Sequence, residues 1–198
     1  MTNDKTELVF ASNNPHKLSE IRRIAGDRYH ILSLDEIGCH DDIPETADTL
    51  EGNSLIKARW IKEKYGYDCF ADDTGLHVDA LGGAPGVMSA RYAGEACSPE
   101  DNMTLLLHNL EGVKDRKARF RTVITLIMGD EEVQFSGEVE GCIATERSGC
   151  QGFGYDPIFI ATETGMRFAE MSPDDKNRIS HRGRAVAKLF DYLTSKEV

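Results

Sequence analysis

The chain has 198 residues, and its 34 acidic and 23 basic residues give a formal net charge of −11. Hydrophobic residues make up 40% of the sequence and charged residues 29%, a globular composition that excludes a disordered or fibrous chain. The acidic charge argues against broad nucleic-acid binding, which needs a cationic face, although a local phosphate site remains compatible with it.

No apolar run approaches the ~20 residues of a membrane-spanning helix. The longest one, from 123 to 128, is interrupted by Thr125, and the polar segment 1–7 has no apolar signal core. The five cysteines have no CxxC spacing, which favours free thiols over disulfides or a zinc site. We therefore expect a soluble, cytoplasmic protein whose residues 1–198 form a single α/β domain, with no membrane or nucleic-acid partner.

The first predicted elements alternate between strand and helix. Residues 8–11 predict a buried strand, and a helix follows in which Asn14 is the N-cap, Pro15 the first residue and Gly26 the stop. A second strand is predicted at 30–34, an acidic loop at 41–48 and a second helix at 49–65.

Lys57 lies within about 40° of the apolar face of the helix predicted at 49–65. The pattern favours an amine that extends to solvent, and the alternative is an amine that points into a cleft.

The second half of the sequence predicts further strands and helices. Cys69-Phe70-Ala71 predicts a buried strand that ends in the turn residues 72–75. Later elements are predicted at 98–110 (helix), 118–128 and 132–141 (hairpin), 157–160 (strand), after 172 (short helix) and from 182 (helix). Helices interleaved with strands and one hairpin predict an α/β fold with a mixed sheet.

The turn between the first strand and the first helix is a candidate phosphate site. Backbone N–H groups and the positive end of a helix favour an anion there. Lys17 in the first turn opposes the helix dipole, which suggests a bound negative group. The alternative is an ordinary turn with a solvated lysine. The residues of this turn are Ser12, Asn13, Asn14, Pro15, His16 and Lys17.

The adjacent carboxylates Asp72 and Asp73, followed by Thr74, form a candidate metal site. Mg²⁺ is bound in proteins by one or two carboxylates together with substrate phosphates. One carboxylate can bind the ion while the other activates water. The alternative is an ordinary turn or helix cap. Glu45, in the acidic loop, is a further candidate ligand that its spacing does not separate from its neighbours.

Two further sets of residues are suited to a nucleotide base. Phe153 lies between two glycines, an arrangement that can expose the ring for stacking on a base, the alternative being a hydrophobic plug in a turn. Lys176, His181 and Arg182 surround the start of the last helix, where they can bind phosphate or a purine edge, the alternative being solvated charges. The four sites together predict a metal-dependent enzyme that acts on a nucleoside phosphate.

The sequence resembles the ITPase family, also called Ham1, and in particular its bacterial dITP/XTP pyrophosphatases. Four segments carry the resemblance, in the order and spacing of the family: FASNNPHK, FADDTGLHVDALGGAPGVMSARYAG, GFGYDPIF and DDKNRISHRGRA. The resemblance implies an elongated mixed α/β fold with two lobes around a substrate cleft, and a homodimer. It also implies Mg²⁺-dependent hydrolysis of ITP, dITP and XTP to the monophosphate and pyrophosphate.

The resemblance also implies roles for individual residues. Asp73 matches the metal-binding carboxylate and proton acceptor, Asp72 a further acidic position, and Glu45 a second metal ligand. Lys57 matches a lysine that faces the phosphates, which reverses the interpretation favoured by the helical pattern. The substrate-binding positions that match are Ser12, Asn13, Asn14, Pro15, His16, Lys17, Lys57, Thr74, Phe153, Gly154, Tyr155, Asp156, Lys176, His181 and Arg182.

The sequence departs from the family pattern at two places. Ser12-Asn13-Asn14 stands where bacterial relatives usually have Thr-Gly-Asn, and Thr74 stands where many have Ser. Both changes keep a hydroxyl, and Asn tolerates a left-handed backbone better than other non-glycine residues. We expect activity to be retained. The affinity for phosphate is the property that Asn13 can alter.

Two alternative functions remain compatible with the residues. One is a metal-dependent phosphatase that releases orthophosphate, although the Asp-x-Asp spacing of aspartyl-phosphate phosphatases is absent. The other is a nucleotide sensor that binds without turnover, which the acidic residues argue against.

If the protein is the pyrophosphatase, we expect Arg182 to donate a hydrogen bond to the 6-keto oxygen of hypoxanthine or xanthine. In adenine, the same arginine would meet an amino donor that it cannot pair with.

Overall fold

A computed structural model describes residues 6–196. Its strands are β1 (Thr6–Phe10), β2 (Tyr29–Leu32), β3 (Cys69–Val78), β4 (Pro85–Gly86), β5 (Lys117–Met128), β6 (Glu131–Ile143) and β7 (Phe159–Ala161). Its α-helices are α1 (Pro15–Ala25), α2 (Leu50–Tyr65), α3 (Pro99–Asn109), α4 (Pro173–Ile179) and α5 (His181–Lys196). Within residues 6–196, no helix is long and apolar enough to cross a membrane.

The strands form one mixed sheet in the order β2-β1-β3-β5-β6-β7, with β4 paired to β3. β1 runs parallel to both β2 and β3, whereas β4 is antiparallel to β3 and β7 is antiparallel to β6. The predicted α/β fold with a mixed sheet is therefore confirmed. The helix cap predicted at Asn14 is also present, and Ser98 caps α3.

The chain divides into two compact units. The first comprises the described residues up to Asp73, Val123–Ser136 and those from Ala185 onward, and the second comprises Thr74–Thr122 and Gly137–Arg184. Three strands, β3, β5 and β6, each contribute residues to both units.

In the core of the first unit, successive residues of β1 pack on opposite faces of the sheet. Leu8 and Phe10 of β1 pack with residues of α1 and α5, while Val9 and Ala11 pack with Ala58 and Ile61 of α2. Because successive strand residues point to opposite faces, one short apolar run supplies both sides of the sheet. This packing fixes α1 and α2, which carry Lys17 and Lys57.

The core of the second unit is richer in aromatic side chains. Phe120, Tyr155, Phe159 and Phe168 pack there with residues of α3 such as Leu106. Phe120 and Phe159 lie with ring centroids 4.7 Å apart. These rings support the loop 149–157 and the start of α5.

Candidate active site

The turn 12–17 has the local structure that its sequence predicts. Asn14 Oδ1 accepts hydrogen bonds from the backbone N–H groups of His16 at 3.0 Å and Lys17 at 3.3 Å, and Pro15 is the first helical residue. The Ser12 hydroxyl accepts from Asn14 N at 3.2 Å. The side chain of Lys17 reaches β3, where Nζ lies 2.9 Å from Asp72 Oδ1.

Asp72 and Asp73 lie inside a strand and not at its end, which corrects the sequence prediction. β3 continues from Cys69 to Val78 through all four of the supposed turn residues. Gly75 serves close packing there, because a Cβ atom on it would lie 2.8 Å from the carbonyl oxygen of Gly86 in the paired strand β4. The local preference of Asp and Gly for turns is therefore overridden by strand pairing.

The two aspartates contact different lysines. Asp72 has a fully buried side chain and pairs with Lys17, whereas the side chain of Asp73 is 11% exposed and lies with Oδ1 3.8 Å from Lys57 Nζ. Adjacent residues of a strand point to opposite sides, which separates the two carboxylates in this way.

Lys57 points inward, so the solvent-extended interpretation of the helical pattern is wrong. Its side chain is 8% exposed, and Nζ donates a short hydrogen bond to Glu45 Oε1 while facing Asp73. Glu45 and Asp73, 28 positions apart in the sequence, therefore face the same ammonium group. We call Lys17, Glu45, Lys57, Asp72 and Asp73 the carboxylate–lysine cluster.

Asn53 joins this cluster, and the sequence analysis missed it. Its Nδ2 donates to Asp73 Oδ2 at 3.1 Å, and its Oδ1 accepts from the backbone N–H of Ala47 at 2.9 Å. The four-residue spacing between Asn53 and Lys57 could have identified Asn53 from the sequence, because residues one helical turn apart share a face of α2. A polar residue one turn before a candidate phosphate lysine points into the same site.

The cluster shifts the pKa of two of its members upward. Burial raises the pKa of Asp73, and Lys57 and Lys17 oppose that rise without cancelling it. Burial acts to lower the pKa of Lys57, but the negative charges of Asp73, Glu45 and Asp72 outweigh it, so this pKa is raised. Lys57 therefore stays charged at neutral pH, and Asp73 is a stronger base than an exposed aspartate.

The cluster suits a divalent ion that a substrate brings with it. Among residues 6–196, no three His, Cys, Asp or Glu side chains are grouped so as to hold a metal by themselves. Glu45 and Asp73 do supply carboxylate oxygens toward one point of positive charge, the amine of Lys57. Carboxylates combined with phosphate oxygens are the usual donors for Mg²⁺. The donor set thus fits magnesium bound jointly with a polyphosphate.

Phe153 lies in a loop that is held in place by hydrogen bonds to the buried carboxylate of Asp156. Asp156 is buried, and its Oδ2 accepts from Phe153 N at 2.9 Å and from Lys176 Nζ at 2.7 Å. Gly152 has a φ of +74°, and a Cβ atom on it would meet Asp156 Oδ2 at 2.0 Å. Glycine is therefore required at 152, and Asp156 is a structural member of this loop.

Two cations lie over the ring of Phe153. Lys176 Nζ is 4.8 Å and Arg182 Cζ is 5.6 Å from the ring centroid, distances at which cation–π attraction operates. The Arg182 side chain is almost fully buried, and its Nη2 donates to Thr74 Oγ1 at 3.3 Å. We call Thr74, Phe153, Lys176, His181 and Arg182 the aromatic–cation cluster.

Two predicted site residues contribute to packing. The His181 ring stacks on Phe120, with centroids 4.6 Å apart and an interplanar angle of 15°. Tyr155 is buried in the core of the second unit, and its hydroxyl donates to Ser89 O at 2.7 Å. A substrate contact of Tyr155 stays a prediction.

Comparison with known proteins places this arrangement in a family. A sequence profile of the Ham1 family matches residues 8–192. A dITP/XTP pyrophosphatase of Flavobacterium johnsoniae is 53% identical over 189 residues, which cover 96% of this chain and 98% of the relative. One of Porphyromonas gingivalis is 56% identical over 188 residues, which cover 94% of this chain and 97% of the relative.

Solved structures agree with the sequence comparison. The Ham1 protein of Staphylococcus aureus matches with a TM-score of 0.87 at 40% identity, covering 96% of this chain and 100% of that one. The HAM1 protein of Coxiella burnetii matches with the same TM-score at 39% identity, covering 96% and 99% of the two chains. Sequence and fold together show that the chain belongs to the Ham1 family.

Proposed function

We propose that this protein hydrolyses dITP, ITP and XTP to the nucleoside monophosphate and pyrophosphate, with Mg²⁺, and so removes deaminated purines from the nucleotide pool. The observation that carries the proposal is the name dITP/XTP pyrophosphatase on relatives that are 53% and 56% identical over nearly the whole chain. The carboxylate–lysine cluster supports it, since it combines the charges that a magnesium polyphosphate requires.

Phosphate binding is assigned to the turn 12–17 and the two lysines. The N–H groups at the start of α1 and the positive end of its dipole attract an anion. Lys17 and Lys57 are both paired with carboxylates, and a polyphosphate would compete for those ammonium groups. Asp73 and Glu45 would hold the magnesium ion, which would supply positive charge against the phosphates.

The chemical step needs one base and one water molecule. Asp73 is the better candidate of the two aspartates, because Asp72 is fully buried against Lys17 while Asp73 keeps some exposure and has a raised pKa. The carboxylate of Asp73 accepts a proton from water as the water oxygen bonds to the α-phosphorus. The bond from that phosphorus to the α–β bridging oxygen breaks, and pyrophosphate leaves.

Base selection is assigned to the aromatic–cation cluster. A purine can stack on the ring of Phe153, and Arg182 has five N–H donors, enough to reach a 6-keto oxygen in addition to Thr74. Adenine presents an amino donor at that position and would leave both donors unmatched. The family resemblance also supports a cytoplasmic location and a homodimer, and sedimentation analysis of the purified protein tests the homodimer.

Product analysis tests the proposed function. Purified protein is incubated with dITP, XTP, ITP, GTP and ATP, with Mg²⁺ and separately with EDTA, and every phosphate product is resolved. We expect pyrophosphate and the monophosphate from the first three nucleotides, none of it in EDTA, and little from ATP. Orthophosphate as the first product would indicate a phosphatase instead, and tight dITP binding without turnover would indicate a sensor.

A further inference from the structure

We infer that Asn53 is a positioning residue for the reaction, since its one amide group holds the carboxylate of Asp73 and the backbone of the acidic loop 41–48 together. The inference rests on the proposed function and deepens it, because it names what keeps the two candidate metal ligands in place.

The contacts of Asn53 determine which way its amide faces. Ala47 N is a donor and must meet the amide oxygen, and the Asp73 carboxylate is an acceptor and must meet the amide nitrogen. The side chain is 1% exposed, so solvent does not compete for either bond. Both ends of the amide are therefore used, at 2.9 Å and 3.1 Å.

The same amide reaches both candidate ligands. It bonds Asp73 directly, and through Ala47 it fixes the backbone two residues after Glu45. Residues 41–47 have no regular secondary structure, so the position of Glu45 depends on such contacts. Lys57, one turn further along α2, holds Glu45 itself. One face of α2 thus attaches to the acidic loop at two points.

Fixing Oδ2 of Asp73 also fixes where its other oxygen points. With Oδ2 held by Asn53, Oδ1 faces Lys57 at 3.8 Å, and the carboxylate cannot rotate without breaking the bond to the amide. A misplacement of catalytic groups by about 1 Å can lower a rate by about 10²-fold, so this restraint bears on turnover. It bears less on nucleotide binding, to which Asn53 contributes no group.

Ser54 offers a matched control on the same helix. It is fully buried and hydrogen-bonded, to Thr125 Oγ1 at 2.7 Å and to Glu51 O at 3.0 Å, but neither bond touches Asp73 or the acidic loop. Ser54→Ala therefore removes buried hydrogen bonds next to Asn53 without altering the two contacts in question.

The test compares Asn53→Ala, Asn53→Asp and Ser54→Ala with the wild type, using dITP and Mg²⁺. We expect kcat of Asn53→Ala to fall about 10- to 100-fold, as for other residues that orient metal ligands, with KM within about threefold of the wild type. Ser54→Ala should keep kcat within about twofold even where its melting temperature falls as far as that of Asn53→Ala.

Asn53→Asp separates the two bonds of the amide. It keeps an acceptor for Ala47 N but faces Asp73 with a second carboxylate, so kcat should fall as in Asn53→Ala. Hydrogen exchange of the Ala47 amide, measured on the protein without metal or nucleotide, should be slow in the wild type and in Asn53→Asp and fast in Asn53→Ala.

Three results would overturn the inference: an unchanged kcat in Asn53→Ala, an equal loss of kcat in Ser54→Ala, or an Ala47 amide that exchanges rapidly in the wild type. A wild type that releases no pyrophosphate would overturn the proposed function, and the inference with it. An active wild type beside an equally active Asn53→Ala would overturn the inference alone.

Discussion

The carboxylate–lysine cluster and the aromatic–cation cluster surround their cations in different ways. In the first, Lys17 and Lys57 lie against carboxylates, with Asp72, Glu45 and Asp73 as partners. In the second, Lys176 and Arg182 lie over the ring of Phe153, and Asp156 is the carboxylate that pairs with Lys176. The first is organised by opposite charges, and the second combines one ion pair with the flat face of an aromatic ring.

This difference indicates what each cluster can recognise. Ion pairs exchange readily for other ion pairs, so a lysine held by a carboxylate can transfer to a phosphate and leave the carboxylate to bind a metal ion. A ring flanked by cations offers a planar surface and N–H donors, which suit a purine. We therefore expect the first cluster to determine turnover and the second to determine which base is accepted.

Replacement of Asp73, the proposed general base, gives the largest expected effect. Asp73→Asn should lower kcat by about 10²–10⁴-fold for every substrate, because the amide cannot accept the proton from water. Steady-state kinetics with dITP and XTP measure the loss, and circular dichroism checks that the variant folds. Turnover close to that of the wild type would remove Asp73 from the mechanism.

Replacement of Arg182 should change selectivity. Arg182→Ala should lower kcat/KM for dITP by about 10²-fold and leave that for dATP nearly unchanged, because at the purine 6-position only a keto oxygen can accept from the lost donor. Arg184→Ala is the matched control, since Arg184 lies on the same helix and contacts Glu138 O and Glu163. If the ratio of kcat/KM for dITP to kcat/KM for dATP is the same in Arg182→Ala as in the wild type, the assignment of the 6-keto contact is wrong.

Replacement of Phe153 should affect binding. Phe153→Ala should raise KM about tenfold for all purine triphosphates with little change in kcat, because stacking contributes about 1–3 kcal/mol per base. Phe153→Tyr keeps the ring and should restore KM. A change in kcat with constant KM would contradict a stacking role.

A titration shift should be the smallest effect. In the protein without metal, the Asp73 carboxyl should titrate above the ordinary value of 3.8, because burial disfavours its charged form. Lys57→Met should move that pKa further upward, since the lysine charge lowers it. Carbon NMR of the carboxyl group measures both values. A pKa at or below 3.8, or a downward shift in Lys57→Met, would contradict the electrostatics described here.

Short-range chemistry made part of the structure predictable. Asn14 followed by Pro15 predicts the start of α1, a short apolar run predicts β1, and two strand segments joined by a tight turn predict the hairpin of β5 and β6, because caps, apolar runs and turns depend on near neighbours. The candidate residues were also found from the sequence, since their chemical types and the family motifs identify them without knowledge of the fold.

Long-range contacts explain what the sequence did not reveal. Asp72 and Gly75 indicate a turn by local preference, whereas Lys17 and the approach of β4 hold them in a strand. The inward direction of Lys57 depends on Glu45, twelve residues away, and Asp73, sixteen away, and the helical pattern contains neither. Asn53 was missed for the same reason, because its partners lie in other elements.

The most direct test of the division between the clusters is a substrate panel with Lys57→Met. Values of kcat/KM for dITP, XTP, dGTP and dATP are measured for this variant and for the wild type at saturating Mg²⁺. We expect every value to fall by the same factor, about 10²-fold for a buried charge pair that loses one partner, and the ratios between nucleotides to stay as in the wild type. A variant that keeps its turnover of dITP but changes its preference among the bases would contradict the account.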